Sequence, residues 1–102
     1  MLKVKEAKKE LSEKSYKEIQ TETAYKWGSR ACAAYEIQIE ATSDREKLMF
    51  WTLGEEYYHE AIEHAALVDD KAELLKKLDE ELAPYKKKAS KDIEDSLLGE
   101  KK

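Results

Sequence analysis

Both histidines of the chain lie in one run, Gly54-Glu55-Glu56-Tyr57-Tyr58-His59-Glu60-Ala61-Ile62-Glu63-His64, where they are interleaved with four glutamates. Within it Glu56-x-x-His59 has the spacing at which a single helix presents a carboxylate and an imidazole to an iron ion. Glu60 and His64 are further candidates one turn along, and Glu22 is a carboxylate upstream that a helical hairpin would bring back towards Glu56. Zinc-protease chemistry is not encoded, because that motif sets its histidines four residues apart, whereas His59 and His64 are five apart and diverge by about 140° on a helix. Gly-rich phosphate loops, Ser-His-Asp sets and Cys-His pairs are not recognisable. The single cysteine, Cys32, has no partner for an internal disulfide and reads as a small packed side chain.

The elements that must position these groups are helical. Proline occurs once and glycine three times in 102 residues, a length that suits one domain. Ser15-Tyr16-Lys17-Glu18 and Ser43-Asp44-Arg45-Glu46 have the form of capping boxes, and Asp70-Lys71-Ala72-Glu73 resembles them. These signals predict helices over 16–41, 45–68, 71–83 and 85–97, the last stopping near Gly99, with Pro84 suiting either the first turn of a new helix or a kink. Residues 1–14 read as a lead-in segment or short helix carrying Val4, Ala7 and Leu11. Residues 15–99 read as a single helical domain and 100–102 as a charged tail. The expected fold is therefore all-α: an antiparallel hairpin of 16–41 and 45–68, completed by one or two further helices in the manner of a helical bundle.

Periodicity assigns faces to these helices. Tyr16, Gln20, Ala24, Trp27, Ala31, Ala34, Tyr35 and Gln38 share one arc of the first long helix, and Phe50, Leu53, Gly54, Tyr57, Tyr58, Ala61, Ile62, Ala65 and Val68 one arc of the second. Gly28 and Gly54 fall inside these arcs within about a turn of each other, which predicts a close helix crossing there, since an interior glycine costs about 1 kcal/mol relative to alanine. Leu74, Leu75, Leu78 and Leu82, followed by Tyr85, Ala89, Ile93 and Leu97, supply a stripe to cover the hairpin. Trp51, Tyr58 and Ile62 sit at one edge of the second arc; that edge is either covered by this stripe or is a surface for self-association, and dimerisation through it is the expectation.

Charge restricts the partners. The 19 basic and 23 acidic residues are interspersed, leaving a net charge of -4 and no basic footprint for nucleic acid. There is neither a signal-length apolar run at the start nor a stretch of eighteen apolar residues, so a cytoplasmic protein with no membrane association is expected.

Two resemblances follow from these segments. Phe50-x-x-Leu53-Gly54-x-x-Tyr57-Tyr58 is similar to the first helix of a tetratricopeptide repeat and Ala61-Ile62-x-x-Ala65-x-Leu67-x-Asp69 to its second, though the loop between them, a second copy and the closing proline are missing. This implies a helical packing and interaction protein. Residues 35–44, together with Glu63-His64-Ala65-Ala66-Leu67, resemble the encapsulated ferritins, whose two-helix chains dimerise; the likeness covers about residues 20–67. That resemblance implies iron as cofactor, with Glu22, Glu56 and His59, and Glu60 and His64 beside them, as ligands of an intersubunit site.

Helical phase separates the two readings. Glu56 and His59 lie about 150° from the centre of their helix's apolar arc, Glu63 about 170°, and Glu22 about 180° from the centre of its own. Aligning the turn to the encapsulated ferritins puts the expected first-helix ligand at Gly28, Ser29 or Arg30, where there is no carboxylate. The favoured expectation is a non-enzymatic helical module acting through protein contacts, including contacts with its own copy. A ferritin-like iron-oxidising protein is the alternative.

Overall fold

The computed structural model describes residues 2–97, which form four helices and no strand: α1, Val4–Glu13; α2, Tyr16–Glu40; α3, Asp44–Ala65; and α4, Lys71–Leu97. The stop expected near Gly99 and the tail at 100–102 lie outside the described residues.

Each start has a local cause. Ser15 is extended, its hydroxyl accepts the Glu18 amide at 3.1 Å and the Glu18 carboxylate accepts the Ser15 amide at 2.8 Å, so the first capping box is complete. At Ser43 the serine half forms, accepting from the Glu46 amide at 3.2 Å. Between them Ala41 is again extended, and its N–H closes α2 on the Ile37 and Gln38 carbonyls. The connection of Ala41, Thr42 and Ser43 folds α3 back antiparallel along α2.

Two boundaries differ from the sequence expectation. α3 ends at Ala65 rather than at 68, although Val68 is still buried beyond it. More consequentially, 71–83 and 85–97 are not two helices but one, with Pro84 inside it. Proline removes one amide donor and crowds the preceding turn, at a cost of about 3 kcal/mol. Leu74, Leu78 and Leu82 before it and Ala89 after it are all buried on one side, and a buried leucine side chain contributes about 1.5–3 kcal/mol. Packing on both sides of Pro84 therefore outweighs the local penalty. The cap expected from Asp70 is also different: its carbonyl receives the Glu73 and Leu74 amides, while its carboxylate instead accepts Lys17 Nζ at 2.8 Å.

The core is made of small residues on the hairpin and leucines on α4. Ala24, Ala31, Ala34, Ala61 and Ala65 are buried on the hairpin, and Leu78 and Leu82 share one core cluster with Ala24, Ala31 and Ala65. The resulting body is thin, 57 × 38 × 14 Å along its principal axes. α1 contributes no buried residue.

Gly28 and Gly54 serve different neighbours rather than facing each other. A Cβ on Gly54 would stand 2.5 Å from Tyr35 Cε1, so the missing side chain makes room for a ring, not for a close backbone approach. A Cβ on Gly28 would point towards α4, 3.2 Å from Leu82 Cδ1. Tyr35 is the largest fully buried side chain among the described residues, and its size explains why α3 needs a glycine opposite it.

Candidate functional surfaces

The histidine-glutamate run lies on α3 without interruption, including the segment between Tyr58 and Ala61 where a repeat loop would fall. Glu56, His59 and Glu63 are exposed, as is Glu22 on α2. Glu22 accepts Lys14 Nζ at 2.8 Å, which ties the carboxylate to the α1–α2 junction and away from α3. Among the described residues no three His, Cys, Asp or Glu side chains converge in a way that could hold a metal ion within one chain.

His64 is half-buried at the edge of the hairpin, and its close neighbour is an amide. Nδ1 stands 2.7 Å from Gln20 Oε1 of α2, a hydrogen bond with the ring nitrogen as donor, while Glu60 lies 3.8 Å from Nε2. A histidine so placed joins α2 to α3 at the far end of the hairpin from Ser43.

The surface assigned to Trp51, Tyr58 and Ile62 looks towards α4. Tyr58 donates to Asp79 at 3.3 Å and carries the Lys86 ammonium 4.2 Å above its ring. Trp51 packs against the core and its ring lies 5.7 Å from that of Tyr35. Ile62 is half-buried beside them. Of the two outcomes open for this edge, covering by the last helical stripe is the one realised at Tyr58.

Two polar clusters fasten α4 to the hairpin. Tyr35 donates to Glu55 at 2.6 Å, and Glu55 in turn faces Lys86 at 3.7 Å. Burial, reinforced by the Glu55 carboxylate, pushes the Tyr35 phenol well above the usual tyrosine range; burial and then Asp79 raise Tyr58. At the other end Gln38, fully buried, donates through Nε2 to the Ala89 carbonyl and to Asp92, both at 2.9 Å. Lys47 reaches the same Asp92 at 3.0 Å and also bonds the carbonyls of Gln38 and Ile39. Gln38 Oε1 is buried without a hydrogen-bond partner among the described residues. Cys32 has no such partners: burial and the nearby Glu36 and Glu81 carboxylates raise its thiol, the opposite of what activates a nucleophile.

The side of the hairpin turned away from α4 is different. There Trp27 meets Tyr57 with ring centroids 5.5 Å apart, Arg30 sits 5.0 Å above the Trp27 ring, and Glu56, His59 and Glu60 border the same hollow. Helical phase continues this strip through Phe50 and Leu53, both half-buried, to Ile37 and Met49, which are 45% and 49% exposed. The sequence arcs contained Trp27, Phe50, Leu53 and Tyr57 but assigned them to the core. Their arcs were too wide for one covering helix, and that width was the available signal of a second, uncovered side.

No helix among the described residues is long and apolar enough to cross a membrane. Comparison with protein-family models, with curated proteins and with solved structures finds no match for this chain.

Proposed function

We propose that the protein is a non-enzymatic helical interaction module that associates with its own copy. The observation that carries this reading is the apolar strip of Trp27, Phe50, Leu53, Tyr57 and Ile37 on the side of the hairpin that α4 leaves uncovered. Aromatic residues are enriched at protein interfaces, and here Trp27, Phe50, Leu53 and Tyr57, all half-buried, lie beside the exposed Ile37. Because α4 occupies Tyr58, the contact surface in this reading is the strip and not the edge formed by Trp51, Tyr58 and Ile62. A cytoplasmic setting belongs to the same reading and suits a lone cysteine. Sedimentation equilibrium over the micromolar range is the test: a reversible dimer is expected, and a strict monomer at the highest concentration would overturn the proposal.

The iron-oxidising alternative receives no support from geometry within the chain, since Glu22 is held by Lys14 and Glu56 and His59 are exposed on α3. Bound metal measured after equilibration with ferrous iron and desalting separates the two. Stoichiometric iron that is lost on Glu56→Ala would reverse the ranking.

A further inference from the structure

α4 is held to the hairpin in different ways on the two sides of Pro84. Before the proline Leu74, Leu78 and Leu82 are buried, and Leu75 is half-buried against the same core. Across 85–97 the buried residue is Ala89, while Ile93 and Leu97 are half-buried. The attachments there are polar instead. Lys86 faces Glu55 at 3.7 Å and lies 4.2 Å above the Tyr58 ring. The buried Gln38 amide donates to the Ala89 carbonyl and to Asp92, and Lys47 reaches Asp92 at 3.0 Å from the first turns of α3.

These two kinds of contact respond differently to opening. Leucines that leave the core meet water, which is the unfavourable transfer that drives folding. Polar groups exchange one partner for another in water, so their bonds hold with only a fraction of their intrinsic strength. The backbone is weakest at the same place. Pro84 has no amide to donate, so the Glu80 carbonyl lacks its helical donor and the ladder is interrupted there. The last buried leucine, the gap in the ladder and the first polar attachment, at Leu82, Pro84 and Lys86, thus fall within about one turn.

We infer that residues 85–97 form a strap that opens from the hairpin as a unit about Pro84 while 71–82 stays docked, and that Asp92, gripped by Gln38 and Lys47, is its latch. Opening bares Gln38 near the end of α2 and withdraws Lys86 from Glu55 and Tyr58. It requires no second copy of the chain. Once detached, the segment falls within the roughly 12–15 residues at which an isolated helix is marginal in water, so it unwinds and its amides exchange with solvent.

Native-state hydrogen exchange of the full chain, resolved residue by residue by NMR, tests the strap. Amides 89–95 are expected to share one opening equilibrium, to exchange about ten-fold or more faster than amides 76–82, and to depend less on urea. Asp92→Ala should speed the whole set 89–95 together, by about five-fold or more. Leu74→Ala removes packing that survives opening, so it should speed 76–82 by about ten-fold or more and leave 89–95 unchanged. Equal protection of the two sets in the wild type overturns the strap. Protection that climbs steadily inwards from Leu97 with no step at Pro84 also overturns it, because that is fraying of a helix end. Acceleration of both sets alike by Leu74→Ala does the same.

Discussion

Replacing Gly54 by alanine is the sharpest perturbation the packing offers. The added methyl would lie 2.5 and 2.6 Å from Cε1 and Cδ1 of Tyr35, so the ring must move by about 1 Å to restore ordinary contact. It has little freedom to do so: Tyr35 is fully buried, its hydroxyl is bonded to Glu55 at 2.6 Å and Trp51 stands at its other side. Overpacking of this kind costs about 3 kcal/mol at the upper end, and alanine returns about 1 kcal/mol in helix propensity. The net expectation is a loss of about 2 kcal/mol, or about 8–16 °C in Tm for a domain of this size. Urea unfolding followed by circular dichroism measures it, with the denaturant slope unchanged. The decisive form is a double-mutant cycle. With Tyr35→Ala as background the obstructing ring is gone, so Gly54→Ala should become stabilising by about 1 kcal/mol, a coupling of about 3 kcal/mol. Coupling within about 0.5 kcal/mol of zero would refute the argument that the ring occupies the glycine's space. Gly28→Ala is the internal contrast: its methyl would meet the flexible end of Leu82 at 3.2 Å, and stability at or up to about 1 kcal/mol above wild type is expected.

Three further outcomes follow from other parts of the molecule. Pro84→Ala restores an amide donor inside α4 and should raise stability by about 1–3 kcal/mol in chemical denaturation; a loss would mean that the proline's shape is itself required. Asp92→Ala withdraws the acceptor shared by Gln38 and Lys47, whose side chain is 13% exposed, and should cost about 1–3 kcal/mol, with Asp92→Asn costing less. Because the folded state holds the Tyr35 phenol above its ordinary value, this contribution is complete below about pH 10 and is lost as pH rises beyond it, at up to about 1.4 kcal/mol per pH unit. Tyr35→Phe should therefore lose less stability than wild type between pH 9 and about 11, measured by denaturation at each pH; parallel losses would assign the alkaline sensitivity to other groups, such as Tyr58.

Much of the hairpin was legible because its boundaries are written locally. Ser15 with Glu18, and Ser43 with Glu46, mark the starts of α2 and α3 within a residue or two, and 3.6-residue phase put Glu22, Glu56, His59 and Glu63 outside. What local signals miss is what another element supplies. Pro84 reads as a break until the leucine stripe of α4 is seen to pack on both sides of it. Gly28 and Gly54 read as one crossing because phase gives a direction but not the identity of the neighbour, and the neighbours are Leu82 for one and Tyr35 for the other. The same limit explains Gln38, which has an ordinary place in the α2 arc while its partners, Ala89 and Asp92, lie more than fifty residues away. For the surfaces, the sequence located Tyr58 at an edge but could not say that Asp79 and Lys86 would reach it.

The seating of Tyr35 over Gly54 also governs alignment. Antiparallel helices lined with alanine can slide by one turn at modest cost, because the small side chains that face each other are interchangeable. Here a slide of one turn would bring Phe50 or Tyr58 beneath the ring in place of Gly54, and neither leaves room for it. A single glycine thus selects one register of the hairpin from several that the alanines would tolerate. In that register Trp27 meets Tyr57 on the far side, so the pairing that buries one aromatic residue also determines which others remain on the surface.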